Sequence, residues 1–343
     1  MIHYLKTYDG PRMTVMEVCG SHTAAIAKAG IPSLLSEKIR LISGPGCPVC
    51  VTPTAYVDRL IDLSGDPRSV IVTFGDLLRV PGSSSSLNSS KAAGADVRMV
   101  YSPFDTLSMA EAEPERSFIF AAVGFETTLP VYALMVDQIA RRGVKNIRLL
   151  TALKTMPPVI RALLESARAP VIDAFLAPGH VSVVTGSRAF EKLAEDYRIP
   201  FAVAGFEGEA LVEALYALLL SRGQGRVMNL YPSVVTREGN AEVQEMIARY
   251  FEPGDALWRG IGCVKGSGLY LKTDFSCLDA GSFGLDSDDK ANKACRCDQV
   301  LVGAVRPADC PLFGKVCTPL KPQGACMVSE EGACHSWYLS HRS

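Results

Sequence analysis

Sulfur is where this chain concentrates its chemistry. Eleven cysteines divide unevenly: Cys19, Cys47 and Cys50 lie near the start, Cys263 and Cys277 stand alone, and six crowd the tail. The six run Cys295-x-Cys297-x12-Cys310-x6-Cys317-x8-Cys326-x7-Cys334. Zinc sites pair ligands with roughly two to four residues between them, which this spacing fits poorly. An iron–sulfur cluster needs four thiolates and gathers them from irregular loops. The spacing therefore favours a cluster, with structural zinc or plain disulfides as alternatives. Six cysteines exceed four, which leaves two for a disulfide or a redox pair. Cys310 and Cys317 bracket a short loop with prolines nearby (Pro311, Pro319), as stiffly held ligands would.

The front set reads differently. In GPGCPVC (44–50) a Cys-x-x-Cys sits at an expected helix start, where the helix N-terminus favours thiolate. Such a pair cycles between dithiol and disulfide or binds a metal; two inert buried cysteines are the plainer alternative. Cys19 lies in EVCGSHT with His22 three positions on, ahead of a helix-like AAIAKAG. His22 suits a base, a proton donor or a metal neighbour. Thiolate and imidazole together suit Fe(II), Zn or Cu(I). Glu126 in GFETT and Glu207 in GFEGE each follow a buried strand. Helix capping, worth about 0.3–1 kcal/mol, explains them as well as a role in a cleft does. Asp76 and Arg79 stand at the root of a Ser-rich stretch over 74–98, read as an exposed loop. Neither GxGxxG, P-loop nor HExxH motif occurs.

Composition narrows the class. The chain has 343 residues, 48% of them apolar, enough for two or three cored domains. Thirty-five basic residues against 36 acidic leave a net charge of −1, without the basic tract a nucleic-acid binder needs. Apolar runs are short and broken, so no membrane span is expected, and the first residues lack a signal peptide's apolar core. The expectation is a cytoplasmic protein, where clustered cysteines point to metal or redox work rather than structural disulfides.

The elements that must hold these groups are α/β. Apolar runs at 69–74, 117–123, 146–152, 171–177 and 200–206 read as buried strands of a parallel sheet covered on both faces. Segments 131–143, 157–166 and 208–223 read as helices between them, which implies right-handed crossovers. The stretch from Ile39 through Asp76 resembles that from Val171 through Glu207. Each has a strand, Pro-Gly, a Cys or His, Val-Thr, a helix, then a strand ending near an acid. This predicts two related parallel-sheet α/β lobes, 17–145 with Cys19, Cys47 and Cys50, and 146–235. Their strand ends, carrying Cys47, Cys50 and His180, would face a common cleft. From 236 to 343 the sequence turns Gly-, Pro- and Cys-rich, which predicts a third, metal-stapled iron–sulfur domain packed with residues 1–16.

Taken together, CGSHT, GPGCPVCVTP, FGDLLRVPG, GADVRMVYSPFD, GFETT, APGH, GFE and DCPLFGKVCTP…GACMVSEEGAC closely resemble the HypD family of hydrogenase maturation factors. The match runs from residue 17 to 338. It implies a scaffold in nickel–iron hydrogenase maturation that works with a small HypC-type chaperone and a HypE-type factor donating cyanide from a thiocyanate. The cargo would be Fe(II) carrying cyanide and CO, the Fe(CN)2CO group. By the same resemblance Cys19 is the iron ligand and Cys47 with Cys50 the redox couple. Cys295, Cys310, Cys317 and Cys334 are the 4Fe-4S ligands, and Cys297 with Cys326 an accessory disulfide. Asp298 stands where the family pattern has glycine, which bears on the choice of Cys295 over Cys297. Glu126, Glu207, His22 and His180 would line the cleft and manage protons or cyanide. Two other readings compete: a freestanding cluster-dependent thiol–disulfide oxidoreductase, and a zinc-stabilised interaction module.

Overall fold

A computed structural model describes residues 1–290 and 292–340; the last three residues of the 236–343 segment lie outside the described residues. In chain order the strands are β1 Met13–Glu17, β2 Ile39–Ser43, β3 Ser69–Thr73, β4 Val97–Met99, β5 Ser117–Gly124 and β6 Ile147–Lys154. They continue with β7 Ala174–Pro178, β8 Phe201–Ala204, β9 Val227–Asn229, β10 Phe251–Trp258 and β11 Gly262–Leu271. They form two sheets. One has the order β2-β1-β7-β8-β9 and is parallel throughout. The other has the order β10-β11-β6-β5-β3-β4, parallel from β6 to β4 and antiparallel at β11 and β10.

The five strands expected from continuous apolar runs are β3, β5, β6, β7 and β8, and each is buried along nearly its whole length. A strand covered by helices on both faces has no solvent side, so apolar residues cannot alternate with polar ones. The expected helices are Leu129–Arg142, Met156–Leu164 and Gly208–Leu220. The first ends at Gly143, whose φ of +65° is the left-handed conformation a helix C-terminus favours.

The chain does not fill the sheets in sequence order. The early strands β1 and β2 join β7, β8 and β9, whereas β6 belongs with β3 and β5. The division between sheets therefore falls elsewhere than residue 145. Nor does the internal similarity correspond to one repeated unit. β7 and β8 are sheet neighbours, while β2 and β3, their counterparts in sequence, lie in different sheets. A strand's composition records that it is buried, not which sheet buries it.

The tail differs too. Residues from 236 are not uniformly irregular, because helix Ala241–Tyr250 and the β10–β11 hairpin extend the six-stranded sheet, pairing Leu269 with Leu153. Their period is masked by glycines such as Gly268, where an added methyl would lie 2.8 Å from Ala256 Cβ. Helix Ile2–Thr7 packs on helix Gly208–Leu220 rather than on the tail, with Tyr4 edge-on to Tyr216 at 5.2 Å. The Ser-rich stretch is also more ordered than a loop. Ser86 caps a helix over Leu87–Ala92, and β4 follows. Among the described residues no helix is long and apolar enough to cross a membrane.

Candidate metal and thiol redox centre

Parallel strands deliver their following loops to one edge, and here that edge collects the front-end residues. β1 ends at Glu17 and leads into Cys19, the residue that caps helix Gly20–Lys28. β2 ends at Ser43 and leads into Gly44-Pro45-Gly46-Cys47. The two loops pack tightly. The Gly20 N–H donates to the Gly46 carbonyl at 2.9 Å, and a methyl on Gly46 would sit 2.3 Å from the Cys19 nitrogen. Glycine is required there because the Cys19 backbone occupies the space of a side chain.

The Cys-x-x-Cys lies on a turn rather than on the first turn of a helix. The Val51 N–H donates to the Cys47 carbonyl, the Cys50 N–H points at Cys47 Sγ at 3.3 Å, and the helix begins only at Thr54. Pro53 lacks the N–H that a helix begun near Cys47 would use. Both thiols are buried. Burial opposes ionisation of Cys50, but interactions with the Cys326 and Cys47 thiols outweigh it and hold the Cys50 thiol down at about 6. Cys47, buried beside Cys50, is pushed well up. One member of the pair is thus the easier thiolate, as dithiol–disulfide chemistry needs.

Cys19 is 8% exposed, and burial pushes its thiol up to about 12 against the opposing pull of nearby helix N–H groups. Without a metal it is a neutral thiol, so a metal there must displace a proton. Beside it lies Glu17, a buried carboxyl that accepts from the Cys19 N–H at 3.0 Å and from the Thr23 hydroxyl. Burial pushes Glu17 up to about 7. Glu331 from the tail accepts from Ser21 Oγ at 2.8 Å, placing a second carboxylate against this helix start. Sequence reasoning passed over both acids. The signal for Glu17 was available, an acid at the end of an otherwise apolar strand two residues before a candidate ligand.

His22 is fully buried. Its Nε2 meets the Gly205 carbonyl at 3.1 Å, its Nδ1 has no partner, and burial lowers it to about 4, so the ring is neutral. His180, exposed after β7, stacks on Phe206 at 4.0 Å, and His22 lies 4.7 Å from the same ring. The two histidines therefore flank one phenylalanine at the carboxyl edge of the all-parallel sheet.

The two glutamates part company. Glu207 is exposed at the start of helix Gly208–Leu220, without a side-chain cap bond. Glu126 is 3% exposed at the end of β5, in the other sheet. It caps a helix, though not the one that follows it in sequence. Its Oε1 accepts from the Met156 N–H at 2.7 Å, at the start of helix Met156–Leu164. Its Oε2 has no partner, and burial pushes the carboxyl up to about 7. The neighbours Phe125 and Met156 share a core with Cys47 and Cys50, between the two sheets.

The tail cysteines enter that same core: Cys295, Cys297, Cys317, Cys326 and Cys334 pack with Cys47, Cys50 and Trp258. Cys297 Sγ and Cys326 Sγ are 2.8 Å apart. Cys326 also interacts with Cys334 and with Cys50, which joins the tail thiols to the Cys-x-x-Cys in one group. Arg259, a cation missed in the sequence, is 3% exposed and donates to the Thr52 carbonyl at 2.6 Å. Its charge favours thiolate at both Cys50 and Cys297. Nothing in its surroundings in the sequence marks it as buried.

Among the described residues no three His, Cys, Asp or Glu side chains converge to hold a single ion. A 4Fe-4S cluster asks for something else, four thiols spaced around a cube. The buried Cys295, Cys317 and Cys334 and the partly exposed Cys310 supply four thiols from the same Cys-rich segment. Cys295 lies near enough to Cys297, Cys310 and Cys317 to feel their charge, and Cys317 near enough to Cys334 and Cys310. Burial raises Cys295 to about 12 and Cys317 to about 11. The Gln323 N–H points at Cys317 Sγ at 3.3 Å, the kind of contact that tunes cluster sulfur. At Gly324 an added methyl would lie 2.7 Å from Cys295 Sγ, so the backbone is drawn in against the thiols. This donor set fits such a cluster. Asp298 forms ion pairs with Lys290 and Arg168 and packs against Gly260. The exposed Cys263 and Cys277 take no part.

Comparison with known proteins bears on what this centre serves. The family model described as "HypD: Hydrogenase formation hypA family" matches residues 2–341. The chain is 42% identical over 341 residues to the hydrogenase maturation factor HypD of Escherichia coli (strain K12), covering 98% of this chain and 91% of that protein. It is 44% identical over 330 residues to HypD of Rhizobium leguminosarum bv. viciae, covering 93% and 86%. It is 42% identical over 338 residues to the hydrogenase expression/formation protein HupD of Azotobacter chroococcum mcd 1, covering 96% and 89%.

Proposed function

Because the chain belongs to the HypD family of hydrogenase maturation factors, we propose that it is the scaffold and redox factor on which the Fe(CN)2CO group of nickel–iron hydrogenase is assembled. Its partners in this reading are a HypC-type chaperone and a HypE-type cyanide donor. Cys19 holds the cargo iron. Among the described residues no group of three His, Cys, Asp or Glu side chains forms around it, which leaves coordination positions for a ligand from the partner. Low-spin Fe(II) with cyanide and CO is well served by thiolate.

Cys47 and Cys50 supply the electrons that cyanide transfer consumes. Releasing cyanide from a thiocyanate sulfur takes two electrons and one proton and leaves a thiol. Two thiols that join as a disulfide give up two electrons and two protons. One turnover therefore yields one disulfide, one thiol, one cyanide and one proton. A 4Fe-4S cluster on Cys295, Cys310, Cys317 and Cys334 supplies electrons to restore the pair. Cys297 and Cys326 form the accessory couple; the neutral His22, with Glu207 and His180, manages protons and cyanide around the edge, and Glu126 does so from the end of β5 in the other sheet.

The observation that carries this reading is the position of Cys326, 2.8 Å from Cys297 Sγ and interacting with both Cys334 and Cys50. It is tested by expressing the chain with all maturation partners and isolating it anaerobically with the chaperone. Cyanide and CO infrared bands, with iron, are expected in the parent and absent from Cys19→Ser. Cys47→Ala is expected to retain iron and lose cyanide. Full iron and cyanide loading of Cys19→Ser would overturn the proposal and leave the freestanding oxidoreductase.

A further inference from the structure

Of the four proposed cluster ligands, Cys295, Cys317 and Cys334 are buried, and Cys310 alone is partly exposed. Electrons from outside therefore reach the cluster most directly at the Cys310 corner. That corner is built as a contact surface. The chain folds back twice in a few residues: the Gly314 N–H donates to the Cys317 carbonyl at 3.0 Å, and Thr318 and Lys321 exchange two backbone bonds around Pro319-Leu320. The turns lift two apolar side chains into solvent, Val316 at 48% exposure and Leu320 at 97%. Lys315 and Lys321, both exposed, flank them, and neither forms an ion pair among the described residues. From Cys310 to Ser329 the chain carries these two lysines and no acid, in a molecule whose net charge is −1. The acid just before, Asp309, is held by Arg306 at 2.9 Å.

An apolar tip flanked by two unpaired lysines, over one corner of a redox centre, suits brief electrostatically steered encounters rather than a permanent interface. We infer that the loop 310–321 is the docking surface for a small, acidic, low-potential electron-transfer protein that reduces the cluster. This rests on the reading of Cys310 as a cluster ligand. The partner's charge follows from the lysines, and its low potential from the need to reduce a cluster that must in turn reduce a disulfide.

The test uses the full chain carrying its cluster, handled anaerobically, with an acidic 2Fe-2S ferredoxin as probe. Binding of the oxidised proteins is measured by calorimetry at low and moderate salt, and cluster bleaching by the reduced ferredoxin is followed by stopped flow. The double variant Lys315→Glu/Lys321→Glu is expected to weaken binding and slow bleaching by about tenfold and to flatten the salt dependence. Lys265→Glu, an exposed lysine outside the loop, is expected to change neither by more than about twofold, and bleaching by dithionite should be the same in all three proteins. Unchanged ferredoxin binding and rate in the double variant, with normal dithionite bleaching, would overturn the docking surface and leave the cluster intact. A protein without acid-labile sulfide that dithionite cannot bleach would remove the cluster reading, and the docking role with it.

Discussion

Glu126 is a carboxyl with one bonded oxygen and one bare one, sealed at the end of a strand. Folding favours its protonated form, so its pKa rises from 4.5 to about 7. Such a group stabilises least once it is ionised in both states. The folded protein should lose stability as pH climbs from the unfolded value through the folded one, by about 3 kcal/mol for a shift of this size. Glu126→Gln keeps an oxygen for the Met156 N–H and removes the titration. Against the parent, the variant should therefore gain about 3 kcal/mol between pH 4 and pH 8, read as a shift in denaturation midpoint. Equal pH profiles for the two proteins would refute the burial argument. His22 works in the opposite sense. Its folded pKa of about 4 lies below the ordinary 6.5, so its contribution is present above 6.5 and lost as pH falls toward 4. Relative to the parent, His22→Gln should hold its stability better between pH 6.5 and pH 4, in the same denaturation measurement.

At the scale of elements, the meeting of the β1 and β2 loops decides where Cys19 sits. Gly46→Ala would place a methyl 2.3 Å from the Cys19 nitrogen and 2.6 Å from its Cα, and those are backbone atoms that cannot turn aside. The expected cost is about 1–3 kcal/mol, as for other overpacked sites. Displacement of the Cys19 loop should also quicken alkylation of that thiol, measured by mass spectrometry of the native protein. A variant with parental melting temperature and parental Cys19 labelling would contradict the tight packing. These loops were partly legible from sequence. GPGCPVC marked the end of its strand but suggested a helix start that falls only at Thr54, while CGSHT marked a helix start correctly, because Gly and Pro restrict what the backbone can do locally. The buried strands were legible for the same local reason, an unbroken apolar run. The sheet each strand joins was not, since a crossover that changes sheets leaves no mark on the strands it connects. Lys154 and Arg259 were illegible for a related reason. A charged residue looks solvated in sequence, and only tertiary packing carries them to 3% exposure.

Across the whole molecule, the Cys-rich tail is packed between the sheets rather than hung from them. One core joins Met16 and Ile42 from the five-stranded sheet, Phe125 and Met156 beside the six-stranded one, and the tail residues Cys295, Val300, Cys326 and Met327. Arg79 adds a polar tie, donating to the Pro319 and Val328 carbonyls from the loop after β3. A cluster held by that tail would be a ligand of the native state, stabilising everything the tail touches. Stripping it with a chelator should therefore lower one cooperative melting transition instead of releasing a tail that melts alone. Limited proteolysis supplies the sharper check. Cluster-free protein should be cut faster in several regions at once, on both sheets, because the core they share is loosened. A stable fragment ending before Lys290, with the melting temperature of the loaded protein, would show that the sheets hold together without the sulfur-rich segment between them.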